Sequence, residues 1–198
     1  MAIRVANNQS LTAITALPSV VSGGAMTLLE TQTASNSSTI SFTSNIDDTY
    51  NEYVFRLINV HADTDTAVFT VNFRDGGSSY DATKTTTYFR AYHAEDDGNA
   101  FGYKTDQDLA QSTGVQHLGY SLKGDADADL CGQLNLYNPS STTFVKHFIA
   151  RTAYMHSSSE VHDSYIAGYC NVTAAIDGVQ FAMSTGTFDG TFKLYGVS

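Results

Sequence analysis

Apolar and polar residues alternate one for one in Phe69-Thr70-Val71-Asn72-Phe73, the period of a strand with one face buried. The same alternation predicts strands at Tyr53 to Ile58, Leu134 to Tyr137, Phe144 to Thr152, Val179 to Met183 and Phe192 to Tyr195. Roughly nine or ten such segments are expected along the chain, separated by Gly, Ser, Asn and Asp clusters that suit turns. Thr, Tyr and Phe supply the strand propensity. Helix signals are scarce. Asp106 to Gln111 places acidic residues where a helix would start, but Gly114 stops it, so one short helical turn is the most expected there. Antiparallel strands without crossover helices predict an all-β chain, an antiparallel β-sandwich of jelly-roll-like type.

The first 24 residues break this pattern. Asn7-Asn8-Gln9-Ser10 is polar, Leu11 to Leu17 alternates loosely, and Pro18 and Gly23-Gly24 precede the first convincing strand, Ala25 to Thr33. Two roles fit such a segment: an arm that packs on a neighbouring subunit, or an ordinary first strand. The expected division is an N-terminal arm over 1–24 and a single β-sandwich domain over 25–198. The arm's candidate partner-binding anchors are its aliphatics, Ile3, Val5, Leu11, Ile14, Leu17 and Val20.

Charge narrows the partners. Only 15% of residues are charged and the formal net charge is −10, so phosphate backbones and anionic membrane surfaces repel the chain. Neither nucleic acid nor membrane is an expected partner. The start of the chain lacks the basic and apolar regions of a secretory signal, and no run of about 18 apolar residues occurs, so synthesis in a cytoplasm is expected. Cys131 and Cys170 each sit in an apolar strand context and are expected to be small buried hydrophobes. Two cysteines make no disulfide framework.

No residue set forms a known catalytic motif. Asp125, Asp127 and Asp129 imitate the start of a calcium loop, but Leu130 and Leu136 stand where its Gly and bidentate Glu belong. Glu95-Asp96-Asp97-Gly98-Asn99 reads as a solvated loop tip. Among His61, His93, His117, His147, His156 and His162 no metal-binding spacing is found, and Ser157-Ser158-Ser159 between the last two reads as a flexible loop. No metal or other cofactor is expected. His147 shares a face with Val145 and Ile149, opposite Phe144, Lys146, Phe148 and Ala150; the expectation is a hydrogen-bonded residue of the interior or of an interface. Tyr88, Phe89, Tyr92, Phe101 and Tyr103 suit core and inter-sheet packing, or a platform for a sugar ring.

Asp47-Asp48-Thr49-Tyr50-Asn51-Glu52-Tyr53-Val54-Phe55, Ala91-Tyr92-His93, Leu109 to Gly114, Leu136 to Thr143 and the terminal Gly190 to Val197 together resemble a family of structural proteins of tailed phages, especially marine and cyanobacterial ones. The resemblance runs the length of the chain and rests on strand-and-turn signatures, with no binding residues to carry over. It implies a non-enzymatic virion protein made in the host cytoplasm. Two roles follow: a capsid decoration or cement protein bound to the major capsid protein or other virion proteins, or a tail fibre or baseplate appendage that binds a host-surface glycan. The absence of shaft repeats favours the first, and closed cyclic symmetry suggests a homotrimer.

Overall fold

In the computed structural model the described residues are 25–198, and they form twelve strands. In chain order these are β1 (Met26–Ser37), β2 (Thr39–Phe42), β3 (Glu52–Ala62), β4 (Ala67–Arg74), β5 (Lys84–Ala94), β6 (Asn99–Tyr103), β7 (Gln116–Leu122), β8 (Leu130–Tyr137), β9 (Lys146–His156), β10 (Glu160–Cys170), β11 (Gly178–Met183) and β12 (Phe188–Val197). Every pairing between them is antiparallel. The proposed arm over 1–24 lies outside the described residues.

The order β1-β12-β3-β8 in one layer and β2-β11-β4-β7 in the other is that of a jelly roll. The steps β1 to β2, β3 to β4, β7 to β8 and β11 to β12 each cross from one layer to the other. Two hairpins enlarge the first layer beyond β8: β9 pairs β8, β10 pairs β9, β5 pairs β10 and β6 pairs β5. The result is an eight-stranded sheet facing a four-stranded one, joined by the single pair Leu122–His156.

Alternation explains the core. Phe55 and Leu57 on β3, Leu134 and Leu136 on β8, and Phe192 and Leu194 on β12 point into the gap, as do Phe42, Phe69, Phe73 and Phe181 from the smaller sheet. Phe181 is the hub: its ring meets Phe42, Phe55, Phe69 and Phe192 at centroid distances of 5.5–6.4 Å. On β4 the alternation is deceptive, because Thr70 and Asn72 are buried as well. Their side chains bond the carbonyls of Ala182 and Thr113, so this strand is buried on both faces.

The segment Asp106 to Gln111 contains no helix. Its backbone follows the edge of β5 beyond β6, with bonds between Thr86 and Leu109 and between Lys84 and Ser112; edge pairing to β5 displaces the expected helical turn. Cys170 is buried as expected, but Cys131 is exposed, because on β8 it alternates with the inward Leu130 and Leu134. Lys84 and Lys146 are buried in register on either side of Cys170. Each lysine spans the interior to reach a loop carbonyl, Gly114 and Val172 respectively, which meets part of the cost of burying an ammonium. Burial lowers Lys84 to about 8 and raises the Cys170 thiol to about 12.

Three of the five segments behind the family resemblance, Asp47 to Phe55, Leu136 to Thr143 and Gly190 to Val197, meet at one end of the sandwich. Tyr53 bonds Asp47 through its hydroxyl, Ser140 bonds the Asp47 carbonyl, and the Asn138 amide reaches the Asn51 carbonyl at 2.6 Å. Gly196 lies under the Tyr50 ring, where any Cβ would collide with it.

Phe181→Ala should destabilise the fold by about 3–5 kcal/mol, since it empties the contact point of four rings. Phe101→Ala, on the sheet exterior, should change stability by less than about 0.5 kcal/mol. Urea unfolding of the two variants tests the assignment of the core.

Candidate functional site

The outer face of the eight-stranded sheet is the first candidate. Away from the bulges in β1, β3 and β12, facing residues line up across the sheet and their side chains form rows that cross the strands. One row runs Thr31, Lys193, Arg56, Gln133, Arg151, Tyr165, Phe89 and Tyr103. Arg56 bonds the Gln133 amide oxygen. Arg151 makes two bonds to Asp163, at 2.9 and 2.7 Å, and lies 4.8 Å from the centre of the Tyr165 ring. Tyr165 stacks on Phe89 at 5.1 Å, and Phe101 meets Phe89 edge-on at 5.6 Å. Arg56, Arg151, Lys193, Asp163 and Tyr195 line a groove of about 740 Å³ on this face. Met26, Leu28, Ile58, Phe101, Tyr103, Ile149 and Val161 are exposed there too, leaving only Val115 and Phe144 among the exposed large hydrophobics elsewhere in the described residues.

A second candidate lies on the inner side of the same sheet, at the β9–β10 turn. Glu160 is directly opposite His156, and His162 is opposite Tyr154. The Nε2 of His162 donates to Glu160 Oε2 at 2.6 Å, and its Nδ1 lies 3.2 Å from the Tyr154 hydroxyl. That hydroxyl also accepts the Tyr120 amide at 3.1 Å. The rings of His156 and His162 stack at 4.3 Å. Arg90, whose Nε and Nη1 are buried without partners, adds positive charge beside both imidazoles. Burial, reinforced by Arg90 and His156 and opposed by the Glu160 bond, lowers His162 to about 4. Burial likewise lowers His156 and His117.

Several expectations change here. Ser157-Ser158-Ser159 is not a flexible spacer: the Ser159 amide bonds the His156 carbonyl at 2.9 Å and the Ser157 amide bonds Ser121 at 2.9 Å, a tight turn that brings His156 and His162 face to face. Of the two roles expected for His147, interior or interface, the interior one is corrected, because the buried face of β9 is the other one, carrying Lys146, Phe148, Ala150, Thr152 and Tyr154. His147 stands on the outer face, 5.9 Å from the Tyr169 ring. Spacing alone concealed this, since a buried lysine is the rarer choice. Of the aromatic stripe, Tyr88 is core, while Phe101 and Tyr103 are exposed on the outer face. Asp125, Asp127 and Asp129 are exposed and are not gathered into a ligand cluster. The arm anchors Ile3, Val5, Leu11, Ile14, Leu17 and Val20 lie outside the described residues.

No protein-family model, no curated protein and no solved structure matches this chain.

The histidine cluster sets a pH dependence. Unfolded, His162 takes up a proton near 6.5, whereas folded it does so only near 4. Its contribution is complete above pH 6.5, declines as pH falls from 6.5 to 4, and changes no further below that. Asp47 and Asp163, held below the ordinary carboxylate value by hydrogen bonds, act only at lower pH. Urea midpoints should therefore fall between pH 6.5 and 4, and His162→Gln should make that fall shallower.

Proposed function

We propose that this chain is a non-enzymatic virion structural protein that decorates or cements a phage capsid. The observation that supports this reading is the concentration of exposed aromatic and aliphatic side chains on one sheet face. Monomeric proteins seldom leave so much of a single face apolar, and such patches mark contacts with other proteins. The residues are spread across the flank from β1 to β6 rather than gathered at loop tips, where a glycan-binding appendage would carry them. The jelly roll is an architecture that viral capsid proteins use, although fold by itself carries no function.

The proposed occupant of the face is a second copy of the chain. Lys193, Arg56 and Arg151 line its groove in a protein of net charge −10, so the acidic surface of another copy is complementary to it. A contact between unlike surfaces closes into a ring under cyclic symmetry, and in a trimer the N-terminal segments are proposed to attach to the major capsid protein. Cementing of this kind needs no catalysis, because burial of apolar surface across subunit boundaries supplies the stabilisation.

Mass photometry of the purified chain should give a trimer, and Phe101→Asp with Val161→Asp should give a monomer with unchanged circular dichroism. Deletion of residues 2–22 should leave melting nearly unchanged and abolish incorporation into particles. Gold-labelled antibody on purified virions should mark the head; label confined to the tail would overturn the decoration reading in favour of the appendage.

A further inference from the structure

We infer that His156, Glu160 and His162 form a binding site for one divalent transition-metal ion, with zinc the best fit. The three residues offer ligand atoms that all lie within 4.8 Å of one another. Glu160 Oε2 is 2.6 Å from His162 Nε2 and 3.7 Å from His156 Nδ1. Around a tetrahedral zinc with bonds of about 2.0–2.2 Å, ligand atoms stand about 3.3–3.6 Å apart. The imidazoles, stacked at 4.3 Å with 17° between their planes, must tilt apart before both nitrogens point at one ion; the hairpin register has already placed the backbone.

The chemistry of the donors selects the metal. Two imidazole nitrogens and one carboxylate oxygen suit zinc, cobalt, nickel or copper, whereas calcium and magnesium take oxygen ligands. The outer partners fit as well. His162 Nδ1 faces the Tyr154 hydroxyl, which is itself fixed by the Tyr120 amide, so His162 presents Nε2 to the ion with its ring held from behind. His156 Nδ1 accepts the Ser158 amide at 3.1 Å. A metal on that nitrogen releases the amide to solvent, since Ser158 is exposed.

Arg90 opposes a cation here. Its Nε and Nη1 are buried without partners, so the fourth position on the ion suits an anion, such as chloride or hydroxide, better than neutral water. The ion would tie β9 to β10 at their turn, behind Met155 and Val161, which alternate with the ligands on these two strands. The inference rests on the hairpin geometry and is independent of the decoration reading.

The test uses the full chain, stripped with chelator and titrated with zinc chloride at pH 7 by calorimetry and thermal melting. One ion per chain is expected, with a melting temperature raised by about 5 °C or more at a zinc concentration about one hundred times Kd. Cobalt in place of zinc should give the strong visible absorption of a four-coordinate ion. Glu160→Gln and His156→Asn, each checked for unchanged circular dichroism, should weaken binding at least about tenfold and abolish that absorption. Asp125→Asn, Asp127→Asn and Asp129→Asn combined should leave both unchanged. No binding up to about 1 mM zinc, binding that survives Glu160→Gln and His156→Asn, or binding lost with the aspartates would overturn the site.

Discussion

The structure depends on how the free edge of β7 is satisfied. The smaller sheet ends at β7, and that edge lies over the interior of a sheet twice as wide. An edge strand beside water leaves its amides and carbonyls to solvent; a buried one needs partners. Here β9 provides them. Thr152 bonds the Leu118 carbonyl, Tyr154 takes the Tyr120 amide, and backbone bonds from Ser157 to Ser121 and from Lys123 to Met155 complete the seam. Polar residues thus appear on an inward face that pattern alone would fill with aliphatics.

The same requirement spreads outward. Tyr154, fixed by β7, orients His162, and His162 holds Glu160. Farther along the gap, Gln116 of β7 accepts from Thr86 at 2.6 Å and donates to the Gln107 carbonyl at 3.0 Å. One end of the gap between the layers is consequently a bonded polar lattice, while the phenylalanine cluster on the jelly-roll side is apolar. The second region supplies most of the stability by burial; the first fixes the spacing of the layers.

Much of this was legible in the sequence. Alternation located β3, β4, β8, β9, β11 and β12, and the lack of helix signals identified the class. It did not reveal which face of β9 turns inward, because Lys146 at an inward position contradicts hydrophobicity and is tolerated only through the Val172 carbonyl. Nor did it show β5, β6 and β10 as additions to one sheet edge, since their pairing joins Lys84–Ala94 to Glu160–Cys170, a separation that no local pattern reports. His156 and His162 looked remote from each other because a serine run was read as slack rather than as a turn. The segments Asp47 to Phe55 and Asn138 to Ser141 form a corner that locks loops together, a structural role that their turn-like composition did not reveal.

The two added hairpins depend on each other unequally. The β9–β10 hairpin attaches directly to β8 of the jelly roll, but β5–β6 touches the sheet only through β10. Opening the β9–β10 hairpin would leave β5–β6 with no sheet edge to pair, whereas releasing β5–β6 would leave β9–β10 still paired to β8. The attachment of the earlier segment of the chain is therefore conditional on the later one.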